Sequence, residues 1–305
     1  MATPMTPTQW RAALRAEGVH IVEYSGWTTR GRDAATGKPF GPVHGVLNHH
    51  TAGTDSLKTV AVGGRPDLPA PLAHSHLAKN GTVTLVSCHR ANHAGLAARN
   101  VYDAIVAEKS LPKPSRASGT VDGNDVFYGI EVENLGDNKD LYTKAQYDAL
   151  VRYNAAICRH HDWGAGSVAG HLETSVEGKV DPRGPVEGYG NRGRFTFTMQ
   201  QLRADVGERL KHPAGWSPGA TTSTTSPAKE TDMQLNDTVT LGDWLPQTWP
   251  DDKGLADKKI AVNTALGSTY GHSRAAHEGV DALRQEVADL RAEVAKLTTA
   301  LTREA

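Results

Sequence analysis

The sequence predicts an α/β domain with a central sheet flanked by helices, occupying residues 1–212. Three observations point there. Three helix starts with cap signatures are spread along the segment. Short apolar strand candidates lie between them. A Pro-, Ser- and Thr-rich stretch then closes the domain.

Thr6-Pro7-Thr8-Gln9 reads as a capping box with Pro at the first helical position. The helix it opens carries Trp10 and Leu14 on one face and stops at Gly18. Strands are expected at 44–50, at 82–88 after the Asn80-Gly81 turn signal, and at 126–133. Thr143 and Gln146 form a second capping box, and the helix behind them puts Tyr147, Leu150, Val151, Ile157 and Cys158 on one stripe. Thr198 and Gln201 form a third, followed by Leu202, Val206 and Leu210 at four-residue spacing.

Residues 213–232 read as a flexible linker. Beyond it, 233–305 holds a short Trp-containing segment and then a long helix. There Val280, Leu283, Val287, Leu290, Val294, Leu297 and Leu301 alternate steps of three and four, with Val at a and Leu at d until Leu301. That pattern predicts a parallel coiled-coil homodimer through about 274–303, with Glu286 at g facing Arg291 at e of the partner. A single amphipathic helix folded back on 233–270 is the alternative.

Composition removes several function classes. The chain of 305 residues has 33 Lys and Arg against 34 Asp and Glu, so no net charge draws it to nucleic acid or an anionic membrane. The start MATPMTPTQW has no basic-then-apolar signal, and no run reaches the ~18 apolar residues of a membrane span. The expectation is synthesis in a cytoplasm without membrane insertion. Cys88 and Cys158 are expected as buried free thiols. The 14 histidines are the unusual feature, because His serves as base, proton shuttle or metal ligand near neutral pH.

Four segments carry chemistry: Leu47-Asn48-His49-His50-Thr51-Ala52-Gly53, Gly129-Ile130-Glu131-Val132-Glu133, Gly170-His171, and Gly178-Lys179-Val180-Asp181-Pro182-Arg183-Gly184. Adjacent His at a strand end point to opposite sides, so one of His49 and His50 can face a given site. A catalytic zinc takes three protein ligands and keeps an open position. One His of the pair, His171 and Asp181 would supply them. Glu131 would then be free as general base, and Lys179 as a cation near a developing oxyanion.

In order, HHTAG at 49–53, GIEVE at 129–133, GH at 170–171 and KVDP at 179–182 resemble the zinc amidases related to phage lysozyme-amidases, bacterial muropeptide-recycling amidases and animal peptidoglycan-recognition proteins. GWTTRGR at 26–32 and GPVHGV at 41–46 resemble endolysins of actinobacterial phages. The resemblance covers about residues 8–211. It implies a central mixed sheet flanked by helices, and a Zn2+ held by His49, His171 and Asp181. It also implies Glu131 and Lys179 as catalytic groups and peptidoglycan as substrate. The bond implied is the amide between N-acetylmuramic acid and L-Ala of the stem peptide. Asn92-His93-Ala94-Gly95 resembles the family's HAG segment along the substrate groove, so His93, with His50, Thr51 and Arg183, is expected to touch substrate. Where some relatives have a Tyr before the strand that leads to the turn at Gly81, this chain has Ala73, with His74 and His76 as possible stand-ins.

Two rivals accompany this reading: a non-catalytic peptidoglycan-binding module and a cytoplasmic recycling amidase. The retained ligand set argues against the first, and the linker and long helix against the second. An endolysin would stay in the host cytoplasm until a separate membrane-permeabilising partner let it reach the wall.

Overall fold

The computed structural model describes residues 1–218 and two short strands at 238–240 and 259–261. The chain divides into two compact units, Met1–Thr222 and Ser223–Ala305. In the second, Thr238–Thr240 and Lys259–Ala261 pair antiparallel. The coiled-coil helix at 274–303, and residues 219–232 of the expected linker, lie outside the described residues.

In chain order the first unit contains α1 (Pro7–Ala16), β1 (Ile21–Glu23), α2 (Asp33–Thr36), β2 (Val46–His50), β3 (Ser75–Leu77), β4 (Val83–Leu85), β5 (Leu96–Ala98), α3 (Arg99–Val106), β6 (Thr120–Asp122), α4 (Gly123–Val126), β7 (Tyr128–Val132), α5 (Lys144–His161), β8 (Val168–Gly170), α6 (His171–Thr174), β9 (Pro185–Val186), β10 (Phe195–Thr196) and α7 (Met199–Leu210). A six-stranded sheet runs β1-β4-β3-β7-β2-β8. Only the β3–β4 pair in it is antiparallel, so the sheet is mixed as expected. The three expected strands are present but shorter. β1, β3 and β8 were not foreseen, because three residues show no period and none of them follows a turn signal like the Asn80-Gly81 that marks β4.

Helices α1, α5 and α7 cover one face of the sheet. Their apolar stripes, including Trp10, Leu14, Tyr147, Leu150, Val151, Ile157, Leu202 and Val206, join Ile130 and Val132 in the main core. On the opposite face a smaller cluster packs Leu47, Phe127 and Ala169 against Val101 and Ile105 of α3. Strand alternation puts Asn48 toward α5, where it and buried Asn154 exchange hydrogen bonds of 3.1 and 2.9 Å. That pair ties β2 to α5 and sends the next side chain, His49, to the other face.

Thr6 and Gln9 make the full capping box. Thr143 and Thr198 cap their helices, but the reciprocal halves are missing. Gln146 instead donates to the carbonyls of Leu77 and Glu133, and Gln201 to Asp205, because both amides find tertiary partners. At the far ends of these helices the Glu17 carboxylate takes the Nε of Arg159 and of Arg209, each at 2.6 Å. The Arg209 side chain is fully buried. Arg209 also binds the carbonyl of Trp216, and Arg152 reaches Ser217 Oγ at 2.7 Å. The expected linker therefore begins later than 213: residues 213–218 belong to the first unit, where Trp216 stacks on His212.

Both cysteines are free and buried. No helix among the described residues is long and apolar enough to cross a membrane.

Candidate metal centre

Register brings the chemistry together. His49 on β2 pairs with Glu131 on β7, which in turn pairs with His76 on β3. These three side chains therefore lie in a row on the sheet face away from α5. β8 ends beside β2, so His171, the first residue of α6, arrives next to His49. Asp181 comes from a loop whose carbonyl accepts the Leu172 N–H at 2.7 Å. Arg203 on α7 holds α6 in place by gripping Glu173 with two bonds of 2.8 Å.

The result is a triangle. His49 Nδ1, His171 Nδ1 and Asp181 Oδ2 lie 3.1 Å from one another. Ligands ~2 Å from a tetrahedral ion stand about 3.3 Å apart, so the spacing fits one small cation. Two imidazole nitrogens and one carboxylate oxygen are a donor set that zinc accepts. His171 Nε2 donates to the carbonyl of Ala94 at 3.2 Å, so a neutral His171 turns a bare Nδ1 to the triangle. Burial first, and next the proximity of the His171 ring, push His49 down to about 4 and keep it neutral at pH 7. Burial works against the Asp181 carboxylate. Its close contacts with the two facing rings outweigh that and hold Asp181 well below the usual range. The trio therefore calls for a positive charge at its centre.

Glu131 sits beside this triangle. Its Oε2 is buried with no hydrogen-bond partner. Burial first, and the Asp181 charge second, push its carboxyl well above the ordinary value. A groove of about 390 Å3 opens over the group. His49, His50, Thr51, His93, Glu131, His171, Lys179 and Asp181 all line it.

The expected substrate contacts divide. Lys179, expected as a catalytic group, lines the groove but is exposed, with its ammonium 3.9 Å from Glu177. His50 points away from His49 as alternation requires. Its Nδ1 lies 3.4 Å from both the Arg183 N–H and the Tyr142 hydroxyl. Its ring packs on Gly136, where a Cβ would come within 2.2 Å of His50 Nε2. Thr51 spends its hydroxyl hydrogen on the Gly53 carbonyl at 2.8 Å. It reaches the groove wall, but with a hydroxyl already engaged. Arg183 departs from expectation. Its Nε donates to the Gly136 carbonyl, and its side chain lines the adjoining cavity with Leu172 and Met199, because the 178–184 loop separates the two spaces. His93 is buried, with Nδ1 3.1 Å from His49 Nε2.

Sequence reasoning missed Arg65 and Ser56, which line the far wall of the groove with Val60, Leu68 and Leu72. No spacing singles them out. Ala73 is core, and His74 is fully buried with Nδ1 accepting from the Gly129 N–H. His76 meets the groove only through Ser56 Oγ, at 2.9 Å.

Residues 39–184 match the family model described as N-acetylmuramoyl-L-alanine amidase. The amidase match spans His49, Glu131, His171, Lys179 and Asp181. Among solved structures, the chain is similar to an endolysin N-acetylmuramoyl-L-alanine amidase, LysCS, from Clostridium intestinale URNW, at 14% identity and TM-score 0.39 over 61% of this chain and 94% of that one. It is similar to a selenomethionine derivative of AmpD at 19% identity and TM-score 0.38, over 61% and 93%. It is also similar to the E. coli amidase AmiD in complex with an anhydro-N-acetylmuramic acid peptide, at 22% identity and TM-score 0.36, over 60% and 65%. No curated protein matches the chain.

Proposed function

We propose that the protein is a zinc-dependent peptidoglycan amidase of the endolysin type, cleaving the amide between N-acetylmuramic acid and L-Ala of the stem peptide. The observation that carries this reading is the triangle of His49 Nδ1, His171 Nδ1 and Asp181 Oδ2 at 3.1 Å spacing, with the unpartnered Glu131 carboxyl beside it in the groove. The amidase match over 39–184 supports the bond.

His49, His171 and Asp181 would hold the zinc. When bound, zinc polarises a carbonyl and lowers the pKa of water toward ~7. Glu131 takes a proton from the attacking water. Its Oε2, buried without a hydrogen-bond partner, is free to accept that proton. As the water oxygen bonds to the lactyl carbonyl carbon, Lys179 faces the charge that grows on the carbonyl oxygen. The C–N bond then breaks, and Glu131 returns its proton to the leaving L-alanyl amine. Val60, Leu68 and Leu72 shield the groove, while Arg65 suits a peptide carboxylate.

Purified cell wall provides the test. Digestion should release new L-alanyl amino groups and no new reducing sugar ends, and the protein should carry one zinc. Glu131→Gln should keep the zinc and lose turnover by about 10² or more. Wall binding without release of amino groups in zinc-loaded protein would make it a recognition module instead.

The same proposal covers residues 1–212, with the packed residues 213–218, as the catalytic domain, a parallel dimer through 274–303, and dependence on a membrane-permeabilising partner. The heptad pattern supports the dimer. Sedimentation of the full chain beside one ending near residue 270 tests the dimer.

A further inference from the structure

We infer that His93 and Ala94 form a clamp that sets which nitrogen of each metal-binding histidine faces the centre, so that His93 is a positioning residue and not a substrate contact. The inference rests on the functional reading above and deepens it.

The argument begins at a backbone carbonyl. The Phe127 oxygen can only accept, and it lies 3.2 Å from His93 Nε2, so that nitrogen carries the hydrogen. His93 is 8% exposed, its ring set between those of His49 and His74 at centroid distances of 5.2 and 5.4 Å. Its two nitrogens face the Phe127 carbonyl and His49 Nε2, and an imidazole whose one hydrogen sits on Nε2 leaves Nδ1 bare. Its Nδ1 is then an acceptor. The group 3.1 Å from it, His49 Nε2, must donate. A neutral His49 with hydrogen on Nε2 turns a bare Nδ1 to Asp181 and His171. One carbonyl thus determines, through two rings, the lone pair at the centre. The next residue does the same for the second ligand: the Ala94 carbonyl takes the His171 Nε2 hydrogen at 3.2 Å.

The clamp is itself anchored. Asn124 Oδ1 accepts from the N–H groups of both His93 and Ala94, at 2.7 and 2.8 Å. The ring lies over Gly129, where an added Cβ would stand 2.5 Å from His93 Nδ1. Partners that orient ligating histidines are worth 10–100-fold in metal affinity when removed.

The test measures zinc affinity by competition with a chromophoric chelator, alongside kinetics on a soluble muropeptide. His93→Leu, which removes the acceptor, should lower zinc affinity roughly 10- to 100-fold and leave KM of the zinc-saturated enzyme nearly unchanged. His93→Asn places an amide oxygen near the lost Nδ1 and should restore most of that affinity. Wild-type affinity in His93→Leu with a raised KM would make His93 a substrate contact and overturn the inference alone. Asn behaving no better than Leu would also overturn it. If the wild type took up no zinc, this inference and the functional reading would fall together. Should His93→Leu fail to fold, Asn124→Ala frees the segment while leaving both rings intact. It too should weaken zinc binding, and unchanged affinity would refute the clamp.

Discussion

Gly129→Ala separates two opposite expectations. Gly129 is a strand residue outside the left-handed backbone region, so Ala fits its conformation. Propensity alone predicts that Ala would stabilise the strand by roughly 0.5–1 kcal/mol. The site predicts the reverse. The new Cβ would stand 2.5 Å from His93 Nδ1 and 2.7 Å from its Cγ and Cε1, where ordinary contact begins at 3.4 Å. The ring would have to retreat by about 1 Å to regain normal van der Waals separation. It is pinned between Phe127 and His49, so retreat stretches the 3.1 Å bond to His49 past hydrogen-bonding range. Overpacking of this kind costs about 1–3 kcal/mol, and loss of the orienting bond about 10- to 100-fold in metal affinity. Chelator competition reads the second and urea unfolding of metal-free protein reads the first. A Gly129→Ala protein that is more stable than wild type and binds zinc equally well would refute the reasoning.

Glu17→Ala should destabilise the first unit by about 3–5 kcal/mol, because it leaves the fully buried Arg209 guanidinium without its carboxylate; a loss under about 1 kcal/mol in urea unfolding would show that the network is replaceable. Stability of the metal-free protein should fall with acid. Burial holds His74 at about 3 and His76 at about 4, both below the free value of 6.5. Between those limits the unfolded chain binds more protons than the folded one. Each histidine's contribution is therefore full above pH ~6.5 and is lost as pH drops toward its folded value, at up to about 1.4 kcal/mol per pH unit. Equal unfolding free energies at pH 6 and pH 5, measured with a chelator present, would contradict this.

The parts of the fold readable from sequence are those with enough residues to show a period. α1, α5 and α7 have capped starts and apolar stripes, and β2 and β7 have five residues each. β1, β3, β4 and β8 have three, too short a run to separate a strand from a loop, and of these only β4 was readable, through the Asn80-Gly81 turn ahead of it. The candidate site follows a similar division. Side chains with distinctive chemistry, His49, Glu131, His171 and Asp181, could be named from type and order, and register brings them together. Arg183 could not be placed, because a loop path decides which cavity it enters. His93 is the instructive case. Its type and its neighbours Ala94 and Gly95 suggested a groove residue, yet its role follows from the Phe127 carbonyl, an atom that every residue possesses. No residue-type signal can report which backbone oxygen a ring will meet. The one trace of that contact in the sequence is an absence of atoms: a strand glycine at 129, where any Cβ would displace the ring. A glycine inside a predicted strand, flanked by Tyr and Ile as Gly129 is, is therefore better read as space reserved for a side chain from elsewhere than as a weak strand former.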